Sequence, residues 1–319
     1  MTLRTQKIVP VILYALVCAF VVPAQTSETR DGIENGKIVE RRTLEFPPYD
    51  SKPETRREFK KDEYEAAISD QFSAERIVYS SNGFKVVAYL YGPKTAGDKL
   101  PVIVFNRGGY IRGEIAHELA VIFHRLSKQG FLVLSPLYRG SAGANGKDEV
   151  GGGDLSDLIN VIPLIRSLPA ADGNNIFLYG ESRGGMMVYQ AIRDGFPANA
   201  AATYGSFSDF DGLVSAHSAQ YLPLLRSIWT DYDTRRGEIN ERRSAIKWVE
   251  KLNVPLLLMH GGADRTLDPM QTIKFAERLQ TLKKPYELII YSGDNHSISM
   301  NQIHRDGRAA AWFRKHLKK

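Results

Sequence analysis

A serine hydroxyl is a weak nucleophile at neutral pH. Chemistry at serine needs an imidazole to take its proton and a carboxylate to fix that imidazole in one tautomer. Ser182 lies in Gly180-Glu181-Ser182-Arg183-Gly184, between the apolar stretch Asn175–Tyr179 and the helix-compatible run Met186–Ile192. A G-x-S-x-G turn between strand and helix forces its serine into a strained backbone that lifts the hydroxyl above the sheet, and the glycines remove side chains that would collide. Downstream, the apolar strand Val254–Met259 runs into His260-Gly261-Gly262-Ala263-Asp264, and Tyr286–Tyr291 runs into Ser292-Gly293-Asp294-Asn295-His296. Ser182 is the expected nucleophile, Asp264 the orienting acid and His296 the general base.

The chain order Ser, Asp, His is the one found on the α/β-hydrolase fold, not that of the chymotrypsin or subtilisin arrangements. His260 ends a strand at the same edge and stays as a second candidate base, although the Gly-Gly after it reads as close backbone packing. Asp294 is the second candidate acid, with an Asx turn as its structural reading. Asp268 in Leu267-Asp268-Pro269, and Asp154 after three glycines, read as helix N-caps. His117, His124, His304 and His316 fall on helical patterns, where solvent or packing roles fit better.

An oxyanion would need preorganised donors. One is the main-chain N–H of Arg183. The second comes from the turn Phe105-Asn106-Arg107-Gly108-Gly109-Tyr110, where paired glycines allow a close main-chain approach and Gly108 or Arg107 presents the donor. Arg107 and Arg139 are also candidates to line the pocket, and Tyr110 to bind substrate. There is no H-E-x-x-H and no Cys/His cluster, and the glycines near Gly151 lack phosphate-loop spacing, so no metal or cofactor is expected.

The elements that position these residues alternate. Ile77–Tyr79, the turn Ser81-Asn82-Gly83 and Phe84–Tyr91 form an antiparallel hairpin. Strands at 101–105, 131–135, 176–179, 200–204, 254–259 and 286–291 then alternate with helices at 114–128, 154–167, 183–193, 269–282 and 299–316. Repeated strand–helix units call for a mainly parallel α/β sheet with helices on both faces. Residues 206–252, with Trp229, Tyr232 and Trp248, are too long for a simple crossover and read as a small helical cap near the site. Residues 25–71 are charged, carry Pro47-Pro48, and hold a helix-compatible run from Glu54 to Ile68; they read as an arm or lid, or equally as a linker before a domain at 72–319.

With 319 residues, 43% hydrophobic and 24% charged, the chain has ordinary globular composition. Arg4 and Lys7 precede an apolar stretch from Ile8 to Val22 that is short for a membrane span, so residues 1–24 read as a cleavable signal peptide with no stable membrane insertion afterwards. Cleavage would remove Cys18, the only cysteine, and lower the formal charge from +6 to +4. The protein is expected to be exported, periplasmic or secreted. Basic clusters such as Arg242-Arg243 alternate with acids, which excludes a phosphate-tracking stripe and a nucleic-acid partner.

With Asn106-Arg107-Gly108-Gly109, Tyr138-Arg139-Gly140, Gly180-Glu181-Ser182-Arg183-Gly184-Gly185 and His260-Gly261-Gly262-Ala263-Asp264, the chain from Arg76 to its end resembles the catalytic domain of the prolyl oligopeptidase family. The resemblance implies an α/β-hydrolase fold whose triad matches Ser182, Asp264 and His296. Family peptidases often place an oxyanion tyrosine where this chain has Arg107, and they carry a β-propeller for which this chain has no room. The expected reaction is acyl-enzyme hydrolysis of a small peptide, amide or acyl ester. An exported carboxylesterase without peptidase activity and a non-catalytic binding protein on the same fold are the other readings.

Overall fold

A computed structural model describes residues 32–94, 97–110 and 113–319. The signal peptide expected over 1–24 and the arm's first residues, through Asp31, lie outside the described residues. Among those described, nine strands form one sheet: β1 Ile38–Thr43, β2 Phe72–Ser81, β3 Phe84–Pro93, β4 Leu100–Asn106, β5 Leu132–Pro136, β6 Ala171–Glu181, β7 Ala200–Tyr204, β8 Leu256–Gly261 and β9 Tyr286–Tyr291. They lie in the order β1-β2-β3-β5-β4-β6-β7-β8-β9. The first three pairs are antiparallel and the rest parallel. The expected α/β-hydrolase architecture is present, including the β2–β3 hairpin, whose turn residues Asn82 and Gly83 both take positive φ.

Strand alternation sorts the core into two layers. Val102 and Val104 of β4, Ile176 and Leu178 of β6, and Leu256 and Leu258 of β8 face one side, with the helices Arg183–Arg193 and Met270–Thr281. Ile103 and Phe105, Phe177 and Tyr179, and Leu257 and Met259 face the other, against Ala116–Ser127 and Gln302–Lys315. Burial on both faces explains why these strands read as continuous apolar runs.

Three differences from the sequence reading have local causes. The helix expected at 154–167 is two, Leu155–Ile159 and Val161–Ser167; in a continuous helix the Pro163 ring would clash with the carbonyl of Ile159. The run from Glu54 to Ile68 is also two helices, Pro53–Glu58 and Lys61–Ala67, parted by Phe59 and Lys60 in extended backbone. The Tyr49 hydroxyl donates to the Phe59 carbonyl at 2.9 Å and fixes that bend. Ile38–Thr43, inside the supposed arm, pairs with β2 as the sheet's edge strand, and its exposed Glu40, Arg41 and Arg42 discourage further pairing. Among the described residues no helix is long and apolar enough to cross a membrane.

Candidate active site

Ser182 joins β6 to the helix Arg183–Arg193 with φ +50° and ψ −119°, a region that L-residues rarely occupy. Its N–H donates to the Tyr204 carbonyl at 2.9 Å. The turn is as tight as the glycines permit, since a Cβ on Gly184 would stand 1.9 Å from the Asn106 carbonyl oxygen. The helix therefore begins against the end of β4, and the loop after β4 brings Gly108 over the serine: a Cβ there would lie 3.1 Å from the Ser182 Cβ.

The acid and the imidazole follow adjacent strands. After β8, Asp264 Oδ1 accepts the N–H groups of Thr266 at 2.7 Å and Leu267 at 3.0 Å. Its Oδ2 lies 2.7 Å from His296 Nδ1 and 2.9 Å from His260 Nε2. Burial pushes this carboxyl upward, but the hydrogen bonds from His260, His296 and Leu267 outweigh it and hold the group well below the usual carboxylate range. With Nδ1–H donated to a carboxylate, the neutral His296 ring carries its lone pair on Nε2. His296 and Ser182 line one cavity of about 730 Å³, with Phe105, Gly108, Glu181 and Tyr204.

His260, the second candidate base, is fully buried, with Nδ1 2.7 Å from the Thr272 hydroxyl. Both its nitrogens are engaged within the core, so it steadies Asp264 instead of facing the cavity. Asp294, the second candidate acid, ties its own loop: it accepts from the N–H groups of Asn295, Met300 and Asn301. Asp268 accepts from the Met270 N–H at 2.9 Å, as a residue at a helix start should.

Three further expectations, those on Asp154, Arg139 and Tyr110, are corrected. Asp154 does not cap the helix after it; its carboxylate turns back to the N–H groups of Gly151 and Gly152 and to the Arg183 guanidinium at 2.8 Å. The Arg183 side chain is held away from the cavity by Asp148 and Asp154, while its backbone opens the helix beside Ser182. Arg107 lines the Ser182 cavity as expected, and its guanidinium is also a strut, donating to the carbonyls of Gly108, Tyr110 and Leu137 and to Ser141 Oγ. Arg139 is not a pocket residue, because Asp157 and Ser156 take its guanidinium. Tyr110 is also absent from the cavity wall and donates to the Asp148 carbonyl at 3.2 Å.

The helices of the expected cap are present at Phe210–Ala216, Ser218–Ile228 and Tyr232–Arg243, yet none of their residues lines the Ser182 cavity. The roof comes instead from Arg57, Glu58 and Phe59 at the bend between the two arm helices. A phenylalanine between two short charged helical runs was the available sequence signal. Among the described residues, no group of three or more His, Cys, Asp or Glu could hold a metal ion.

Comparisons with known proteins agree with this fold. The chain is 28% identical over 222 residues to an uncharacterized peptidase of Bacillus subtilis, YtmA, covering 69% of this chain and 84% of that one. It is 26% identical over 267 residues to the human acylamino-acid-releasing enzyme, covering 76% of this chain but spanning only 35% of that enzyme's length. A solved puromycin-hydrolyzing peptidase of Mycobacterium tuberculosis superposes with a TM-score of 0.67 at 24% identity, over 79% of this chain and 40% of that one. The family model that matches, described as the prolyl oligopeptidase family, runs from residue 118 to residue 319. Because that match spans well over half of the chain and takes in the ends of β6, β8 and β9 that carry Ser182, Asp264 and His296, the chain belongs to the prolyl oligopeptidase family of serine hydrolases.

Proposed function

We propose that the protein is a serine peptidase that cleaves a peptide or amide bond through an acyl-enzyme on Ser182. The observation that carries this reading is Asp264 Oδ2 at 2.7 Å from His296 Nδ1, with that imidazole in one cavity with a serine held at φ +50°. The Ser182 Oγ attacks the substrate carbonyl carbon while His296 Nε2 takes the hydroxyl proton. The N–H of Arg183 and a main-chain N–H at Arg107 or Gly108 receive the oxyanion. As the C–N bond breaks, His296 returns the proton to the departing nitrogen; water then repeats the sequence and frees the acid. A relative named as a peptidase and one named as an acylamino-acid-releasing enzyme support the amide reading, and the apolar stretch Ile8 to Val22, read as a signal peptide, supports action outside the cytoplasm.

The test is kcat/KM on an ester and an amide sharing one acyl group. Comparable turnover of both supports a peptidase, and turnover of the ester alone makes the protein an esterase with the same machinery. Ser182→Ala is expected to lower kcat by about 10⁵-fold or more with the fold unchanged; substantial remaining activity would mean another nucleophile.

A further inference from the structure

Next to the cavity of Ser182 lies a second and larger one of about 1,220 Å³. The two share a neck formed by Arg57 and Phe59 of the arm, Arg125 of the helix Ala116–Ser127, and Ser299, Met300 and Gln302 beyond His296. Arg125 builds that neck: it donates to Glu63 at 2.7 Å, to Gln302 at 3.0 Å and to Asp306 at 3.2 Å, and so ties the arm to both helices. Pockets that take drug-sized ligands measure about 300–1,000 Å³, so the inner cavity of about 730 Å³ alone would hold an acyl group with a small leaving group. The outer one is surplus to that need.

Three features say what it takes. Its wall continues along Ser299–Gly307, the stretch that follows His296, so it opens on the imidazole's side of the serine. That is where the leaving group must lie, because the imidazole hands its proton to the departing atom. Met300 and Ile303 face it with 68% and 70% of their surfaces exposed, more than any other large apolar side chain among the described residues. Five arginine or lysine side chains line it, Lys60 and Lys128 among them, against the three carboxylates Glu58, Asp62 and Glu63.

We infer that the outer cavity binds the leaving portion of a peptide substrate, a segment of several residues ending in a free carboxylate, with apolar side chains against Met300 and Ile303 and the carboxylate near Lys60 and Lys128. The inference rests on the serine hydrolase reading above. On cleavage the scissile C–N bond breaks, the acyl carbon stays on Ser182 Oγ, the nitrogen takes the His296 proton, and the freed peptide leaves through the neck. The arm bend then acts as a specificity element, since Phe59 sets the width of the passage.

The experiment holds the acyl group fixed and lengthens the leaving group from one residue to four, each as free acid and as carboxamide, with the scissile bond as amide and as ester. Lengthening is expected to raise kcat/KM by about tenfold, the value of roughly 1.4 kcal/mol of added binding. Amidating the far end should remove roughly threefold of that gain, and raised salt should do the same, as for a partly exposed ion pair. Lys60→Glu with Lys128→Glu should abolish the preference for free acid over carboxamide, and Met300→Asp should lower the ratio of long to short substrate. If the shortest ester is turned over but length and end charge make no difference, the outer cavity is no subsite and the hydrolase reading survives. A gain on lengthening the acyl side instead would place the other half of the substrate there and overturn the inference. If no ester or amide is turned over in a Ser182-dependent manner, both readings fall.

Discussion

Asp264 serves two imidazoles with one oxygen, and the two have different tasks. His296 reaches Oδ2 from the cavity side at 2.7 Å, while His260 reaches it from the core at 2.9 Å with its other nitrogen held by Thr272. The buried imidazole keeps the carboxylate ionised and aimed, so it is a positioning residue. Replacing Asp264 with Asn should reduce kcat by about 10³–10⁴-fold, because the amide can present N–H to His296 and favour the wrong tautomer. Replacing His260 with Leu should cost kcat roughly tenfold with little change in KM, and Gln should recover part of that loss because its amide can still donate to Asp264. A purely structural role for His260 would instead lower the melting temperature and leave the kcat of the folded fraction unchanged. The low titration of Asp264 means its contribution to stability is present above the unfolded carboxyl pKa of about 3.9 and is lost only as pH falls below that.

Glycines and buried ion pairs decide whether these side chains meet. A methyl on Gly184 would strike the main chain of β4 at 1.9 Å, whereas one on Gly108 would press on Ser182 at 3.1 Å without touching the core. Gly184→Ala is therefore expected to destabilise the fold, and Gly108→Ala to leave the melting temperature nearly unchanged while lowering kcat about tenfold or more. Equal loss of stability in both would show that the Gly108 loop is a folding element. Beneath the turn, Arg183 joins Asp148 and Asp154, and its removal as Arg183→Met should cost about 3–5 kcal/mol by leaving two buried carboxylates unpaired. This is also where legibility in the sequence stops. Ser182, Asp264 and His296 are readable because each follows an apolar strand, and parallel strands deliver their ends to one edge. The fate of Arg139 is not, because the partner that takes its guanidinium, Asp157, stands on a helix 18 residues away in sequence and nothing in the local pattern says the two will meet. The roof belongs to the arm, whose charged sequence reads equally as lid or linker, and not to the cap expected near the site. Residues 210–243 are helical as expected, but Tyr232, Leu225 and Ile228 bind them to the core layer away from the cavity.

At the scale of the whole molecule, the arm is a part of the fold with a small core of its own. Tyr64 and Ala67 are buried against Ala120 and Val121, with Phe59 and Tyr49 packed alongside. Under them, the Tyr91 hydroxyl donates to the Ala67 carbonyl at 2.6 Å, which leaves its oxygen to accept from His124 Nδ1 at 3.3 Å, and the Phe72 ring meets the imidazole edge-on at 4.7 Å. Burial, with Lys128 and Arg125 nearby, lowers the His124 pKa from 6.5 to about 4. The direction of the consequence follows from linkage. As pH falls below 6.5 the unfolded chain takes up a proton that the folded one refuses, so stability declines through the window from about 6.5 to about 4 and levels off below it. The loss from this residue is at most about 3 kcal/mol. His124→Phe keeps the aromatic packing without the titration, and its unfolding free energy should fall less between pH 7 and pH 4.5 than that of the unaltered protein. Equal falls would show that His124 protonates in the folded state without penalty. Because the hydroxyl that receives His124 also ends the helix Lys61–Ala67, the first amides to lose hydrogen-exchange protection on acidification should be those of residues 61–67. The bend at Phe59 is carried by that helix, so discrimination between long and short substrates should fade over the same pH range before the catalytic core itself unfolds.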